Sequence, residues 1–428
     1  MESIFFIGLG KLGLIFSHIL AEHGFNIYGY DKNTKIKDQI KNNIKSIEPK
    51  LNYLIKKNSK NFNFENNFQN AIKNTKYAFL VLPTPSKKNH EFSNAYILEA
   101  LKNIGPHLKN KSKYIINITS TVNPGSCNLF IEYLEKKFLL KHGREFIVTY
   151  NPHLIALGSI YENVVNSDLV IIGSDINYGH KALKKIYSKI YKKNLERLKF
   201  LNLKESEISK IAINSYVTLK ISFSNTLSEI SDNQNNINIS KVIKTLGSDK
   251  RIGQKYLSLG GSYSGPCFPR DSLNFAHYLK KIKTSNYIPL AVEKINKIQI
   301  RRYIDCYREN TKLLKKKHTI GICGIAYKKN TSIVNFSPGK QIMDYFKKRN
   351  HLIIFDEYKP DIKEKIDFYD DIKKFFKKAD VIFVCYVNEK FKELEKLKTK
   401  QNKTIIDLWN FLNIKEKKIK YKSLGISN

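Results

Sequence analysis

Residues 4–13 read Ile4-Phe5-Phe6-Ile7-Gly8-Leu9-Gly10-Lys11-Leu12-Gly13. Four apolar residues run into three glycines spaced as GxGxxG, and a helical pattern follows. Strand, glycines and helix in that order are the context in which this motif binds a dinucleotide. Gly8 permits the tight turn, Gly10 lets the backbone approach a pyrophosphate, and Gly13 lets helix and strand pack closely. The helix N-terminus adds amide donors and a dipole that favours an anion. Asp31 ends the next apolar run, 18 residues after Gly13, with Lys32 beside it. A carboxylate there binds ribose hydroxyls and disfavours a 2′-phosphate, so the expected cofactor is NAD.

The alternation continues outward from this turn. Short apolar runs at Ile4–Ile7, Asn26–Tyr30, Tyr77–Leu82, Tyr114–Ile118, Phe146–Tyr150 and Leu169–Ile172 alternate with helical patterns, as parallel βαβ units do. Residues 205–233 read as one long helix with apolar positions at Ile208, Ile211, Ala212, Leu219, Phe223 and Ile230. Asn202, followed three residues later by Glu205, resembles a capping box at its start. After more helix and a Gly-rich loop, runs at His318–Gly324, His351–Phe355 and Val381–Tyr386 begin a second, smaller alternation. The expected fold is α/β: two Rossmann-like domains with parallel sheets, joined by a helical middle domain containing the long helix. The expected parts are residues 1–203, 204–313 and 314–428. The Lys-rich stretch Lys415–Lys422 reads as a solvated surface or a frayed tail.

The chain has 428 residues, 42% hydrophobic and 26% charged, which fits a soluble globular protein and excludes collagen, coiled coil and wholly disordered classes. The net charge is +37, carried by 67 Lys and only eight Arg. Lys, Asn and Ile in excess are what an AT-rich coding sequence gives, and the Lys is spread throughout, with small clusters such as Lys315–Lys317. A nucleic-acid binder would show Arg and a local basic stripe, so none is expected as a partner, though the charge steers anionic ligands inward. Cys127, Cys267, Cys306, Cys323 and Cys385 are odd in number and form no CxxC pair. Neither a disulfide scaffold nor a zinc site is expected, and a reducing cytoplasm fits. The apolar N-terminus lacks a basic leader and a small-residue cleavage site, and no membrane anchor is read.

The segment Gly260-Gly261-Ser262-Tyr263-Ser264-Gly265-Pro266-Cys267-Phe268-Pro269-Arg270-Asp271 is a loop fixed by glycines and prolines with a cysteine inside it. A thiol held rigidly near cations acts as a nucleophile; a bland buried cysteine is the alternative. Lys210 and Asn214, four residues apart, share one face of the long helix. The cation suits an oxyanion and the amide a hydroxyl or a water. In a chain with 67 Lys, a solvated Lys on a polar helix face is the competing reading.

Taken in order, these segments resemble the nucleotide-sugar 6-dehydrogenases of the UDP-glucose/GDP-mannose dehydrogenase family over essentially the whole chain. Beyond the glycine motif, Val81-Leu82-Pro83-Thr84-Pro85 looks like its VPTP segment, and Ser120-Thr121-Val122 with Pro124-Gly125 like its STVxPG. Asn151-Pro152 with Gly158 frames its NPExLxEG, and Lys210 and Asn214 sit on the expected helix. Asp249-x-Arg251-Ile252-Gly253 resembles DxRIG, Gly265 to Asp271 resembles GGxCFPKD, and Gly324-x-Ala326-Tyr327-Lys328 resembles the GxAFK opening of a third domain.

The resemblance implies a four-electron oxidation of a nucleotide-sugar, with UDP-glucose the leading substrate. The primary alcohol becomes an aldehyde, Cys267 adds to it, a second oxidation leaves a thioester, and water releases a uronic acid. It further implies that Lys210 stabilises developing negative charge, Asn214 positions water, Asp271 assists them and Thr121 lies near the reacting centre. Lys11, Leu12, Thr84 and Thr121 would join Gly8, Gly10, Gly13 and Asp31 at NAD. Arg251 would reach the nucleotide-sugar across a homodimer interface. Tyr256 would stack on the base, Lys328 would meet phosphates or ribose, and Gly265 would line the substrate loop. Core packing is the plain alternative for Tyr256 and solvent exposure for Lys328.

The chain also departs from the pattern. Both Glu residues of NPExLxEG are replaced, by His153 and Leu157. In the family the first Glu helps activate the water of thioester release; a neutral His153 is a candidate for that role as general base, and the plain alternative is that it only packs or hydrogen-bonds. The family's RESP reads Asn335-Phe336-Ser337-Pro338, without its Arg, and Ser262 and Ser264 replace two loop glycines. The rival readings are a one-step NAD-dependent hydroxyacid-type dehydrogenase and a nucleotide-sugar binder without catalysis.

Overall fold

The computed structural model describes residues 2–41, 46, 48–311 and 318–426, with only the backbone of 39–41. The chain divides into two compact units, Met1–Ala212 and Ile213–Asn428. The expected part boundary at 313/314 and the Lys315–Lys317 cluster lie outside the described residues.

The first unit holds an eight-stranded sheet. Its strands in chain order are β1 Glu2–Ile7, β2 Phe25–Tyr30, β3 Phe62–Phe64, β4 Tyr77–Leu80, β5 Tyr114–Ile118, β6 Phe146–Tyr150, β7 Val170–Gly173 and β8 Leu198–Leu201. The spatial order is β3-β2-β1-β4-β5-β6-β7-β8, so the chain reverses direction across the sheet between β1 and β4. In such sheets ligands bind outside the carboxyl ends of the strands at that switch point, which is where Gly8 stands. In β1 alternate side chains enter opposite cores: Ile4 and Phe6 join one cluster, Phe5 and Ile7 the other. A strand covered on both faces reads as a continuous apolar run rather than an alternating one, which is why Ile4–Ile7 was legible. The sheet is parallel except where Tyr150 of β6 meets Gly173 of β7, a single antiparallel pair that the βαβ pattern did not foretell.

The second unit holds a six-stranded parallel sheet of β9 Thr319–Cys323, β10 His351–Phe355, β11 Asp367–Tyr369, β12 Val381–Val384, β13 Lys403–Asp407 and β14 Ile419–Lys422, in the order β11-β10-β9-β12-β13-β14. The expectation of a frayed tail at Lys415–Lys422 is corrected here. Ile419 and Tyr421 face the core while the intervening lysines alternate outward, and β14 pairs with β13. The stretch Lys-Ile-Lys-Tyr-Lys has the period of two that a half-buried strand requires.

The middle region is helical. The 31-residue helix Leu203–Asn233 begins at the expected capping box: Glu205 N donates to Asn202 Oδ1 at 2.8 Å, and Asn202 N donates to Glu205 Oε2 at 2.9 Å. Helices Ile239–Ser248, Phe268–Lys281 and Tyr287–Thr311 follow. Among the described residues no helix is long and apolar enough to cross a membrane, and no cluster of His, Cys, Asp or Glu could hold a metal ion.

Candidate active site

In the first unit the glycine turn is built by contacts. Gly8 lies at φ +98° and its N–H donates to Tyr30 O at 2.8 Å; a Cβ there would come within 2.3 Å of Val81 O. A Cβ on Gly13 would stand 1.9 Å from Gly8 O, so helix and strand meet backbone to backbone. A Cβ on Gly10 would meet nothing within 4 Å, so packing does not demand this glycine. Gly10 is the N-cap of helix Lys11–Glu22 and gives it no side-chain cap, which leaves the first amides to a ligand. Lys11 and Leu12 open the helix, the first exposed and the second packed on the core. Asp31 is half-buried; Oδ2 accepts from Leu9 N at 2.7 Å and Oδ1 from Asn33 N at 2.8 Å. A carboxylate has about four acceptor positions, so two remain for hydroxyls. The open cradle and this carboxylate fit a dinucleotide. Beside it, buried Thr84 donates its hydroxyl to Thr121 O at 2.6 Å, and Leu82 N donates to Ser120 Oγ at 2.8 Å, joining the loops after β4 and β5.

Lys210 is 5% exposed; among the described lysines only it and Lys403 are buried. Lys403 donates to Ala379 O at 2.5 Å, a structural use. The solvated reading of Lys210 is therefore excluded. One turn earlier, Glu207 is fully buried and accepts from Gly125 N at 2.5 Å and Cys127 N at 2.7 Å. It ties the long helix to the loop that carries Thr121, and burial pushes its carboxyl pKa up. The sequence reading missed Glu207, although its spacing of three and seven from Lys210 and Asn214 puts all three on one helix face.

His153 is half-buried just beyond β6. Its ring meets Phe16 edge-on at 4.3 Å between centroids, and Nε2 lies 3.2 Å from the Tyr187 hydroxyl. Burial, and then the nearby Lys210 charge, pull its pKa down to about 3. Leu157 is half-buried against the core.

In the second unit the cysteine loop is held from several sides. Gly260 O accepts from Tyr303 OH and Gln299 Nε2, each at 2.9 Å, and Tyr263 N donates to Asn296 Oδ1 at 2.7 Å. Gly265 lies at φ +84°, donates to Asn335 O at 2.9 Å, and leaves only 2.7 Å between a hypothetical Cβ and the Tyr327 ring. The loop ends at Cys267, which is exposed and is the N-cap residue of helix Phe268–Lys281; the other four cysteines are buried. Bland burial therefore does not describe Cys267. Asp271 is 1% exposed in the first turn of that helix, and its Oδ2 accepts from Asn214 Nδ2 at 2.7 Å. Asn214 is thus oriented with Oδ1 as its remaining acceptor.

The residues expected to meet the nucleotide-sugar each have a local partner. Arg251 is exposed and pairs with Asp249 at 2.6 Å. Tyr256 is 43% exposed at φ +66°, edge-on to Phe268, so core packing does not describe it. Lys328 is half-buried, with Nζ 5.9 Å from the Tyr327 ring centroid. In the segment that lacks the Arg, Ser337 caps helix Pro338–Phe346 and donates to Ile325 O at 2.6 Å.

Three consecutive stretches match one family: residues 2–191 its NAD binding domain, 204–298 its central domain and 321–414 its UDP binding domain. The chain belongs to the UDP-glucose/GDP-mannose dehydrogenase family. A UDP-glucose 6-dehydrogenase of Rickettsia conorii is 30% identical, covering 100% of this chain and 99% of the relative. One from Bacillus subtilis is 28% identical over 97% of this chain and 91% of its own length. A UDP-glucose dehydrogenase structure from Pyrobaculum islandicum shares the fold with a TM-score of 0.86 at 22% identity, covering 98% of each chain. A UDP-D-ManNAc dehydrogenase structure from Pyrococcus horikoshii does so at 0.85 and 19%, covering 99% of each. Residues 2–191 thus form an NAD binding domain, and the chain is an NAD-dependent nucleotide-sugar dehydrogenase.

Proposed function

We propose that the chain oxidises UDP-glucose to its uronic acid in two NAD-dependent stages through a Cys267 thioester, supplying a precursor for polysaccharide synthesis in the cytoplasm. The observation that carries this reading is the placement of Cys267: exposed at a helix N-cap, on a helix whose buried Asp271 holds Asn214 of the long helix. A helix N-terminus favours negative charge at its cap, and a cysteine kept only for packing would be buried like the other four.

When bound, NAD accepts the hydride at each stage. Gly8, Gly10, Lys11, Leu12 and Gly13 receive its pyrophosphate, Asp31 its ribose, and Thr84 and Thr121 line the rest. Lys210, a buried cation, stabilises the oxyanion that develops as the alcohol and then the thiol adduct are oxidised. Asn214 and Asp271 position the water. His153 takes the water's proton. Held to a pKa of about 3, it is neutral near pH 7 and has a lone pair to take a proton, without the negative charge of the family's Glu. Arg251, Tyr256, Gly265 and Lys328 meet the nucleotide-sugar.

The working form is a homodimer, with residues 1–203, 204–313 and 314–428 as its NAD-binding, dimer-forming and nucleotide-sugar-binding parts. Tyr216, Phe223 and Ile230 recur every seven residues along the long helix at 62%, 49% and 41% exposure. An apolar seam of that period fits a second helix, and light scattering of the full chain reads its copy number.

The decisive test is NADH yield with UDP-glucose, GDP-mannose and UDP-N-acetyl sugars offered separately. Two NADH per UDP-glucose, abolished in Cys267→Ser, is the expected result. One NADH per sugar with full turnover in Cys267→Ser would mean a one-step dehydrogenase. No NADH with any sugar, despite measurable sugar binding, would mean a binder.

A further inference from the structure

Two buried side chains and the half-buried His153 form a directed chain beside β6. Asn151 is fully buried, and its Nδ2 donates to the Ile171 carbonyl at 2.7 Å. Turned the other way, its amide oxygen would face that carbonyl, so Oδ1 is the atom presented to Tyr187. The fully buried Tyr187 hydroxyl gives its single hydrogen to Asn151 Oδ1. Its oxygen lies 3.2 Å from His153 Nε2, and with no hydrogen left it can only accept there. The imidazole hydrogen therefore sits on Nε2 and the lone pair on Nδ1. Phe16, edge-on at 4.3 Å, holds the ring plane.

We propose that Tyr187 is a positioning residue that fixes His153 as its Nε2–H tautomer, leaving Nδ1 as the atom that takes the proton of the attacking water. The orientation of a base by the hydrogen bond on its far nitrogen is a general device. The proposal rests on the reading of His153 as that base. In the step, the water oxygen bonds to the thioester carbonyl carbon and one water proton passes to Nδ1. The C–S bond then breaks, the sulfur leaves as thiolate, and the proton on Nδ1 passes to it. The products are the acid, which ionises to carboxylate, and the thiol; no oxidant is consumed.

The test uses full-length protein labelled with 15N-histidine, with the His153 ring signals assigned by their loss in His153→Gln. Nitrogen shifts of the wild type should show Nε2 protonated and Nδ1 bare. In Tyr187→Phe the Nε2 proton should move upfield as its hydrogen bond is lost. With UDP-glucose as the probe, intact-mass sampling should show the acyl-enzyme decaying roughly tenfold more slowly, one hydrogen bond's worth, with the initial NADH burst unchanged. A wild-type ring protonated on Nδ1 overturns the proposal, and that measurement does not depend on the variant folding. An unchanged decay rate in a folded Tyr187→Phe overturns the positioning role. If Nε2 carries the proton but His153→Ala releases its acyl group at the wild-type rate, the base reading falls while the tautomer assignment stands.

Discussion

At the end of β1, Gly8 at φ +98° donates to Tyr30 O at 2.8 Å, and Leu9 N donates to Asp31 at 2.7 Å. At the end of β9, Gly324 at φ +88° donates to Phe355 O at 2.8 Å, and Ala326 N donates to Asp356 at 2.9 Å. Each turn also has a helix glycine against it: a Cβ on Gly13 would stand 1.9 Å from Gly8 O, and one on Gly339 2.7 Å from Gly324 O. The backbone wiring is the same, and three differences separate an open turn from a closed one. The first helix starts at Lys11 and the second only at Pro338, after an intervening loop. The first has no side-chain cap, whereas Ser337 accepts from Lys340 N at 3.1 Å and Pro338 has no N–H to offer. Finally, Asp31 is half-buried, whereas Asp356 is 3% exposed and also takes the Tyr386 hydroxyl at 2.7 Å and Glu357 N at 2.6 Å. A tyrosine and a cap occupy in the second unit what the first leaves open.

The largest effect should come from Asp356→Ala. It strands three donors, two of them in the buried core, and should lower unfolding free energy by about 3 kcal/mol in urea titrations, with NAD affinity unchanged. A loss of NAD affinity without a loss of stability would erase the distinction between the two carboxylates.

Acid should separate the units next. His18, His142 and His153, the described histidines whose pKa is lowered, all lie in the first unit; burial is the leading cause, and it brings His18 to about 4. Below about pH 6.5 the unfolded chain binds protons at these sites that the folded one refuses, so stability falls as pH falls. For His18 the loss is about 2 kcal/mol at pH 5. Burial raises the carboxyls of Asp356 and Asp407 in the second unit, which works the opposite way and is matched in the first unit by Glu207 against three histidines. Hydrogen exchange should therefore quicken in β1 and helix Lys11–Glu22 before β9 and β12 between pH 6.5 and pH 5. Equal quickening in both would contradict this account.

The smallest effects sharpen the ligand side. Gly10→Ala meets nothing within 4 Å and Gly10 has φ −65°, so folding should be unchanged while the added methyl obstructs the pyrophosphate. Asp31→Ala should remove the ribose contact. Calorimetry should show the NAD Kd rising about tenfold in each, equivalent to about 1.4 kcal/mol, with unfolding midpoints nearly unmoved.

The sequence by itself determined what depends on neighbours along the chain. A positive-φ glycine, a strand buried on both faces, a capping box and a cysteine among prolines impose local geometry, and each stood where its segment implied: Gly8, Ile4–Ile7, Asn202 with Glu205, and the loop ending at Cys267. The strand at Ile419–Lys422 had a legible period of two, but its lysines concealed it until pairing with β13 supplied a partner. Tertiary structure alone decided what depends on meetings across tens of residues. It buried Lys210 and Lys403 among the described lysines and brought Glu207 to the loop at Gly125. It also closed Asp356 with Tyr386 and joined Asn151, Tyr187 and His153 into one chain. The physical reason is that a side chain's protonation and availability depend on what surrounds it, and burial sets those surroundings only once the sheets have formed.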